Sequence, residues 1–492
     1  MASAWRAVLV ALALAACAGP APLYPPKPTT PLEPVDWLST LESRIPPLKH
    51  ERGRRWPLVL WNGPGFEPLP PETIGGLLAR GIVPHIRLDE ASIPAAKALQ
   101  AAGAPVIAVE GKGGNWPYSL GGDPETWAHR YPEGKKIPEE WRAMPSPMIF
   151  KGWAVAEAQI RQTLSRFKDA GVVLDAAWLD WEVEPHVASF KAAIESPSSR
   201  ALLPAPAAAD GHAFMLFRHH LWMGLMSAYV AAPIREANPK VSVTNWMAVL
   251  SSEERPVPTW TAHALPPTGP SLMTATNPTA YGVDLAFLTG WDEDWPLDRD
   301  HVDRFYMQVL LRQVSADSHN RRRIAPYLES LPWVARWVRI ADEERKPGDP
   351  PLPMVPAMSR EAYREALRHL WLRGIDGMQV FNSPTTSDNE SAIAEVEDAA
   401  AVYDEMLAFR EFLEQGDVMN LDHPDPGQDG PIWSGLRTRD RALLRVFPGG
   451  GERFLEIEAW PGAEVSVPLP PEGATYRLRR APEGGIELEA VR

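Results

Sequence analysis

From Trp56 onward, short apolar runs alternate with longer stretches whose apolar positions recur every three to four residues. The first pattern is that of a buried β-strand, the second that of an amphipathic helix. Strands are predicted at 57–62, 82–89, 105–110, within 172–182, and at 241–246, 271–276, 324–329 and 376–381. Helices are predicted over 71–80, 91–102, 153–170, 213–237, 301–318, 359–373 and, closing the series, 390–414. Strands separated by helices in this way predict an α/β fold, a (β/α)8 TIM-like barrel over residues 51–416. An open doubly wound sheet is the structural rival. Its nucleotide-binding form is disfavoured, because no glycine-rich phosphate loop follows the first strand.

The pattern changes near Gly416. Residues 417–430 are dense in Asp, Pro and Gly and read as a linker. Short alternating runs follow at 442–447, 453–459, 464–468, 475–480 and 486–491. They predict a small all-β, sandwich-like module over 431–492, which packs on the barrel or binds glycan through Trp433 and Trp460.

The N-terminus reads as a leader. Arg6 precedes an apolar run, 7–16, that is too short to span a bilayer as a helix. Leu14-Ala15-Ala16-Cys17 resembles the lipobox of bacterial lipoproteins. That resemblance implies cleavage before Cys17, lipidation of Cys17, and an exported chain anchored to the cell envelope. Residues 18–50 then read as a Pro-rich tether. Cys17 is the only cysteine, so no disulfide forms within the chain. The net charge of −14 disfavours nucleic acid as a partner. Twenty tryptophans suit a carbohydrate binder and core packing equally well.

The most informative stretch is Trp178-Leu179-Asp180-Trp181-Glu182-Val183-Glu184. Residues two apart on a strand share a face, so Asp180 and Glu182 point the same way and Glu184 can join them. Paired carboxylates raise the proton affinity of one member, which is what a general acid requires near neutral pH. In a barrel, chemistry sits at the C-terminal ends of strands. A solvated acidic strand end bound to a lysine or arginine is the alternative reading.

Asp-Trp-Glu after the fourth strand resembles the Asp-x-Glu signature of hyaluronidase-like glycoside hydrolases. Pro57-Leu58-Val59-Leu60-Trp61-Asn62 is similar to that family's first strand, and Asn277-Pro278-Thr279-Ala280-Tyr281 to the segment after its sixth. Ala325-Pro326-Tyr327 resembles its seventh-strand tyrosine, and Gly377 to Asn382 its last strand. The resemblance implies Glu182 as general acid/base and Asp180 as the residue orienting a substrate acetamido group that acts as nucleophile. Tyr327 would hydrogen-bond that group. Asn277 stands where the family has tyrosine, and Phe381 where it has tryptophan, so the substrate is expected to differ.

Other strand ends supply candidate substrate contacts: Trp61, Asn62, Asp89, Glu110, Trp178, Asn245, Trp246, Tyr281, Phe381 and Asn382. Trp116 is a further candidate in the Gly/Pro/Trp-rich excursion at 111–152, together with Asn115, Tyr118, Trp127 and Trp141. Glu329, two residues after Tyr327, opens a second enzymatic reading, a retaining glycosidase with Glu182 as acid/base and Glu329 as nucleophile. His85, Arg87 and Asp89 alternate on the second strand, but an arginine between ligands argues against a metal. No cofactor and no metal are expected. A carbohydrate is the expected partner, and the membrane is reached only through the lipid. A non-catalytic surface glycan-binding lipoprotein is the rival from another class.

Overall fold

The structure, a computed structural model, describes residues 32–61, 70–110, 150–179, 194, 200–201, 203–211, 213–214, 217, 221, 224–247, 274–281, 299–324, 329–336, 358–381, 389–424, 427–481 and 484–491. Its apolar runs form parallel strands: β1 (Leu58–Leu60), β2 (Ile82–Pro84), β3 (Ile86–Arg87), β4 (Ile107–Glu110), β5 (Ala176–Leu179) and β6 (Ser242–Met247). They continue with β7 (Ala275–Tyr281), β8 (Glu329–Ser330), β9 (Trp333–Ala335) and β10 (Gln379–Val380). The order of pairing is β2-β1-β10-β9-β7-β6-β5-β4-β3, with β8 beside β7. β2 and β3 are two halves of one run broken only at His85, so the pairing path ends on the run where it began. β8 and β9 are likewise one run, so among the described residues the pairing path joins eight strand runs, the number a (β/α)8 arrangement requires.

Helices pack outside the ring. They include α1 (Pro34–Arg44), α2 (Pro71–Ala79), α3 (Ile93–Ala101), α4 (Phe150–Asp169), α5 (Ala232–Ala237), α6 (Arg299–Ile324), α7 (Arg360–Trp371), α8 (Asn389–Leu407) and α9 (Arg410–Gln415), and a short helix, Ala205–Ala209, precedes α5. A single-turn π-helix, Met226–Ala231, leads into α5. The closing helix expected over 390–414 is two helices, broken after Leu407. Among the described residues, no helix is long and apolar enough to cross a membrane.

Three expectations are corrected. The tether expected to run to residue 50 gives way to α1, whose Trp37, Leu38 and Leu41 are buried in the core. Proline at its start is compatible with a helix, because the first-turn N–H groups have no intrahelical acceptor. The sixth strand runs over Ala275–Tyr281 rather than ending near 276, so Asn277 and Pro278 lie within it and register with Trp246 and Met247. The seventh strand begins at Glu329, because α6 runs on through Arg321 to Ile324. Positive charge suits a helix C-terminus, and Arg321 caps the neighbouring turn by donating to the Gly374 carbonyl and to Asp376.

The C-terminal module follows β11 (Asp417–Val418), which lies in the predicted linker but already belongs to the module's sheet. That sheet contains β12 (Ile432–Arg437), β13 (Arg441–Phe447), β16 (Ala474–Arg480) and β17 (Ile486–Val491). β14 (Phe454–Trp460) and β15 (Ala463–Pro468) pair as a separate hairpin. β12 was absent from the expected runs. Gly374, at a φ of +84°, makes the close approach of β11 possible, since a β-carbon there would strike Val418 at 2.5 Å.

Charge fastens this module to α7. Arg445 Nε and Nη2 donate to the two carboxylate oxygens of Glu365, each at 2.6 Å. Arg373 is fully buried and donates to Ser434 Oγ, Ser315 Oγ and the carbonyls of Asp422 and Trp433. Burial alone would raise the Glu365 carboxyl, but His369 and the Arg445 guanidinium outweigh it and hold the carboxyl at about 2. Removing one partner of a buried pair strands the other's charge, at a cost of about 3–5 kcal/mol. Arg445→Leu is therefore expected to lower the unfolding temperature in calorimetry. The Glu365 contribution is present at neutral pH and fades as pH falls from about 4.5 toward 2. The variant should show a weaker acid dependence, and wild-type behaviour on both counts contradicts the staple.

Candidate active site

The registers determine which side chains face into the ring. Ser242, Glu329 and Trp56 belong to the fifth, seventh and first strand runs, which are not neighbours. Yet Ser242 Oγ donates to Glu329 Oε2 at 2.9 Å and Trp56 Nε1 to the same oxygen at 3.3 Å. These groups meet inside the ring at its N-terminal end, so Ser242 points inward. Thr244, two residues on, shares that face. Register partners in adjacent strands also share it: Thr244 pairs with Trp178, Trp178 with Val109 and Val109 with Arg87. From the other side, Val83 pairs with Val59, Val59 with Gln379 and Gln379 with Trp333. The inward face therefore carries Val83, His85 and Arg87 on one run, and both directions around the ring agree.

At the C-terminal end, this face gathers four rings. Trp61 stacks on His85 with centroids 4.6 Å apart, meets Trp333 at 4.5 Å and Phe381 at 6.2 Å, and Trp333 meets Phe381 at 5.7 Å. Trp61 and Phe381 are half-buried, whereas Trp333 and His85 are buried. His85 Nδ1–H donates to the Leu60 carbonyl at 2.6 Å, and burial lowers the ring to about 4, so it is neutral at physiological pH. The arrangement is an apolar wall on the side of the first, second, seventh and eighth strands. Trp61 and Phe381 were legible as strand-end aromatics. Trp333 and His85 were missed as site residues, because only the register brings them beside Trp61.

Asp180, Glu182 and Glu184 lie outside the described residues, as do Asn62, Trp116, Tyr327, Asn382 and Cys17, and with them Asn115, Tyr118, Trp127 and Trp141. Glu110, Asn245, Trp246, Asn277 and Tyr281 have described backbone in β4, β6 and β7, but their side chains lie outside the description.

Three expected contacts take other roles. Trp178 is 1 % exposed and sits in the interior beneath the strand ends, not on an open surface. Asp89 accepts a hydrogen bond from Ser92 N at 2.9 Å and caps the 3-10 turn before α3. Glu329 opens the seventh strand instead of ending it, and so lies at the end of the ring opposite the strand termini where barrel chemistry occurs. Tyr327 lies outside the described residues, and Ala335 and Arg336 stand at the C-terminal end of the seventh strand.

Two cavities, of about 960 and 1430 Å3, lie between the outer helices and the module, away from the aromatic wall. Among the described residues, no cluster of three or more His, Cys, Asp or Glu could hold a metal.

No family model matches the chain, and no curated protein matches it. Solved structures similar to it include a GH30 endoxylanase from Clostridium papyrosolvens, at 9 % identity and TM-score 0.38, covering 88 % of this chain and 96 % of the other. The isomaltulose synthase SmuA from Protaminobacter rubrum aligns at 10 % identity and TM-score 0.43, covering 88 % and 99 %. A cyclic α-maltosyl-(1→6)-maltose hydrolase from Arthrobacter globiformis aligns at 12 % and 0.38, covering 91 % and 93 %. Likeness at this level carries no weight beside the strand pairings themselves.

Burial raises the Glu329 carboxyl above its ordinary value, with Ser242 and Trp56 opposing and Asp376 adding to the rise. A raised folded-state value makes ionisation costly to the fold, so this group lowers stability as pH rises above about 4.5, its value in the unfolded chain. Glu329→Gln should remove that loss: thermal melts at pH 4 and pH 8 should differ less than in the wild type. Hydrolytic activity, once a substrate is in hand, should survive the change. Loss of activity would restore Glu329 as a nucleophile.

Proposed function

We propose that the chain is a glycoside hydrolase acting on a polysaccharide or glycan. The observation that carries the reading is the aromatic wall of Trp61, Trp333 and Phe381 at the same end of the ring toward which the fourth strand leads Asp180-Trp181-Glu182. Trp178 faces inward, and Asp180 and Glu182 stand two and four residues beyond it. This reading takes both carboxylates as inward, because residues two apart on a strand share a face. Pyranose rings present apolar C–H faces that stack on such rings, while a carboxylic acid protonates the glycosidic oxygen.

In this reading Glu182 is the general acid/base. Asp180 stays ionised and orients an acetamido group of an N-acetylhexosamine, whose carbonyl oxygen attacks the anomeric carbon as the bond to the leaving sugar breaks. Glu182 gives its proton to the departing oxygen and then takes one from the incoming water. The net result is retention. The position of Glu329 removes support for the two-glutamate scheme, which needs carboxyls about 5–5.5 Å apart across the bond. Cys17, with its lipid, would hold the enzyme at the cell envelope and its products near the cell.

Glu182→Gln keeps the size and hydrogen-bonding shape of the side chain but cannot release a proton. It is expected to lower kcat by roughly 10²–10⁴-fold with an unchanged melting temperature. Wild-type turnover in that variant would defeat the proposal. Trp61→Ala removes one face of the wall and should raise KM about tenfold, since an aromatic contact is worth roughly 0.5–1.5 kcal/mol. An unchanged KM would remove the wall from substrate binding.

A further inference from the structure

The larger of the two outer cavities, about 1430 Å3, runs between α6, α7 and the C-terminal module. α6 ends at Ile324, shortly before the seventh strand run begins at Glu329. Just past α7, Asp376 donates its N–H to the Ser330 carbonyl at 2.8 Å. Both helices therefore finish at the N-terminal end of the ring and begin at the end that carries the aromatic wall. The cavity is lined by their opening turns, including Asp300 and Arg304 from α6 and Ser359 and Arg364 from α7. It lies outside the ring but toward that same end.

The walls are tied together before any ligand arrives. Arg304 donates to the carbonyls of Gln428 at 3.1 Å and Pro448 at 2.9 Å, and a β-carbon at Gly449 would strike its Nη2. The Glu365–Arg445 pair, itself part of the lining, joins α7 to the module, and Tyr476 Oη donates to the Pro468 carbonyl at 3.0 Å. A site built this way loses little freedom on binding.

Phe454 also lines the cavity, yet it is 58 % exposed. Among the residues with described side chains it is the only exposed aromatic. Its register partner across the hairpin, Pro468, belongs to the lining too, and its exposed companions there include Glu452, Arg453 and Glu472. One ring set among charges is not the contiguous apolar patch of several hundred Å2 that marks a protein-docking surface. Carboxylates and guanidinium groups share the lining, so neither sign of ion is favoured. A neutral sugar suits both features. Its C–H face stacks on an aromatic ring, and its hydroxyls hydrogen-bond carboxylates and guanidinium groups alike. The volume exceeds the roughly 300–1,000 Å3 of an ordinary small-molecule pocket, which suits several linked units.

We propose that this cavity is a second glycan-binding site, outside the ring, which takes uncharged sugar units of a polymer with one of them stacked on Phe454. The choice of a sugar rests on the glycosidase reading. Two linked sites hold a long chain more firmly than either alone, whereas a short substrate that fills one gains nothing.

Affinity electrophoresis of the full chain tests this in gels that hold glycol chitin, arabinoxylan or β-glucan, with polygalacturonate as the acidic counterpart. Glu182→Gln is carried in every protein so that the polymer is not consumed. At least one neutral polymer should retard the chain. Phe454→Ala should raise the dissociation constant for it roughly three- to tenfold, the size of one lost aromatic contact, and Phe454→Tyr should restore it. With Glu182 intact, Phe454→Ala should turn over a di- or trisaccharide with wild-type kcat and KM, at an unchanged melting temperature. Retardation by no neutral polymer, equal retardation of Phe454→Ala, or stronger retardation by polygalacturonate than by every neutral polymer overturns the proposal. So does a dimer in sedimentation that Phe454→Ala abolishes, since the ring then belongs to a second copy. If the wild type hydrolyses no glycan while Phe454-dependent retardation persists, the glycosidase reading fails and this site stands.

Discussion

Closing parallel strands into a ring leaves each strand residue two directions, inward or outward, and the registers between neighbours fix which one it takes. A slip of one residue in any strand would turn that strand's inner set outward. Here the alternation agrees from Thr244 round to Arg87 and from Trp333 round to His85. The interior consequently has two unlike ends. At one, Glu329 is held by Ser242 and Trp56; at the other, Trp61, His85, Trp333 and Phe381 form an aromatic wall. Only the second lies where the strands deliver their C-terminal residues.

The ring does not stand alone. Its outer helix α7 is bound to the C-terminal module through Glu365, His369 and Arg373, all buried, and through Arg445 from the module side. Buried ion pairs are weak sources of net stability but strict about geometry, since every unpaired member is costly. The module is thereby held in one position against α7. Arg477 over the Phe409 ring, 5.2 Å from its centroid, adds a second attachment near α9. Packing on the barrel is the role these contacts support for the module.

The sequence was most readable where breakers bound an apolar run on both sides, as at Leu58–Leu60 and Ile107–Glu110. It misled where local chemistry and long-range pairing disagreed. Asn277 and Pro278 look like a strand terminus, yet pairing on both flanks keeps them inside β7. The short apolar stretch from Ile324 looked like a strand, whereas Ile324 ends a helix whose last turns are rich in arginine. α1 was hidden by the Pro-rich composition around it, although Trp37, Leu38 and Leu41 carry a helical spacing. At the site, single strand-end residues such as Trp61 and Phe381 could be named from position. Trp333 and His85 could not, because their significance lies in which residue of another strand stands beside them. The Asp89 carboxylate instead serves a local need, accepting from a backbone N–H three residues away.

The aromatic wall of Trp61, Trp333 and Phe381 at the C-terminal end of the ring is the structural feature on which the proposed glycosidase reading rests. The most direct measurement is the stereochemical course of hydrolysis by the wild-type chain on amino-sugar polymers, followed by proton NMR of the newly released anomeric centre. Initial release of product with the configuration of the substrate linkage is the expected result. Initial release of the opposite anomer, or no cleavage of any such polymer, would contradict the account.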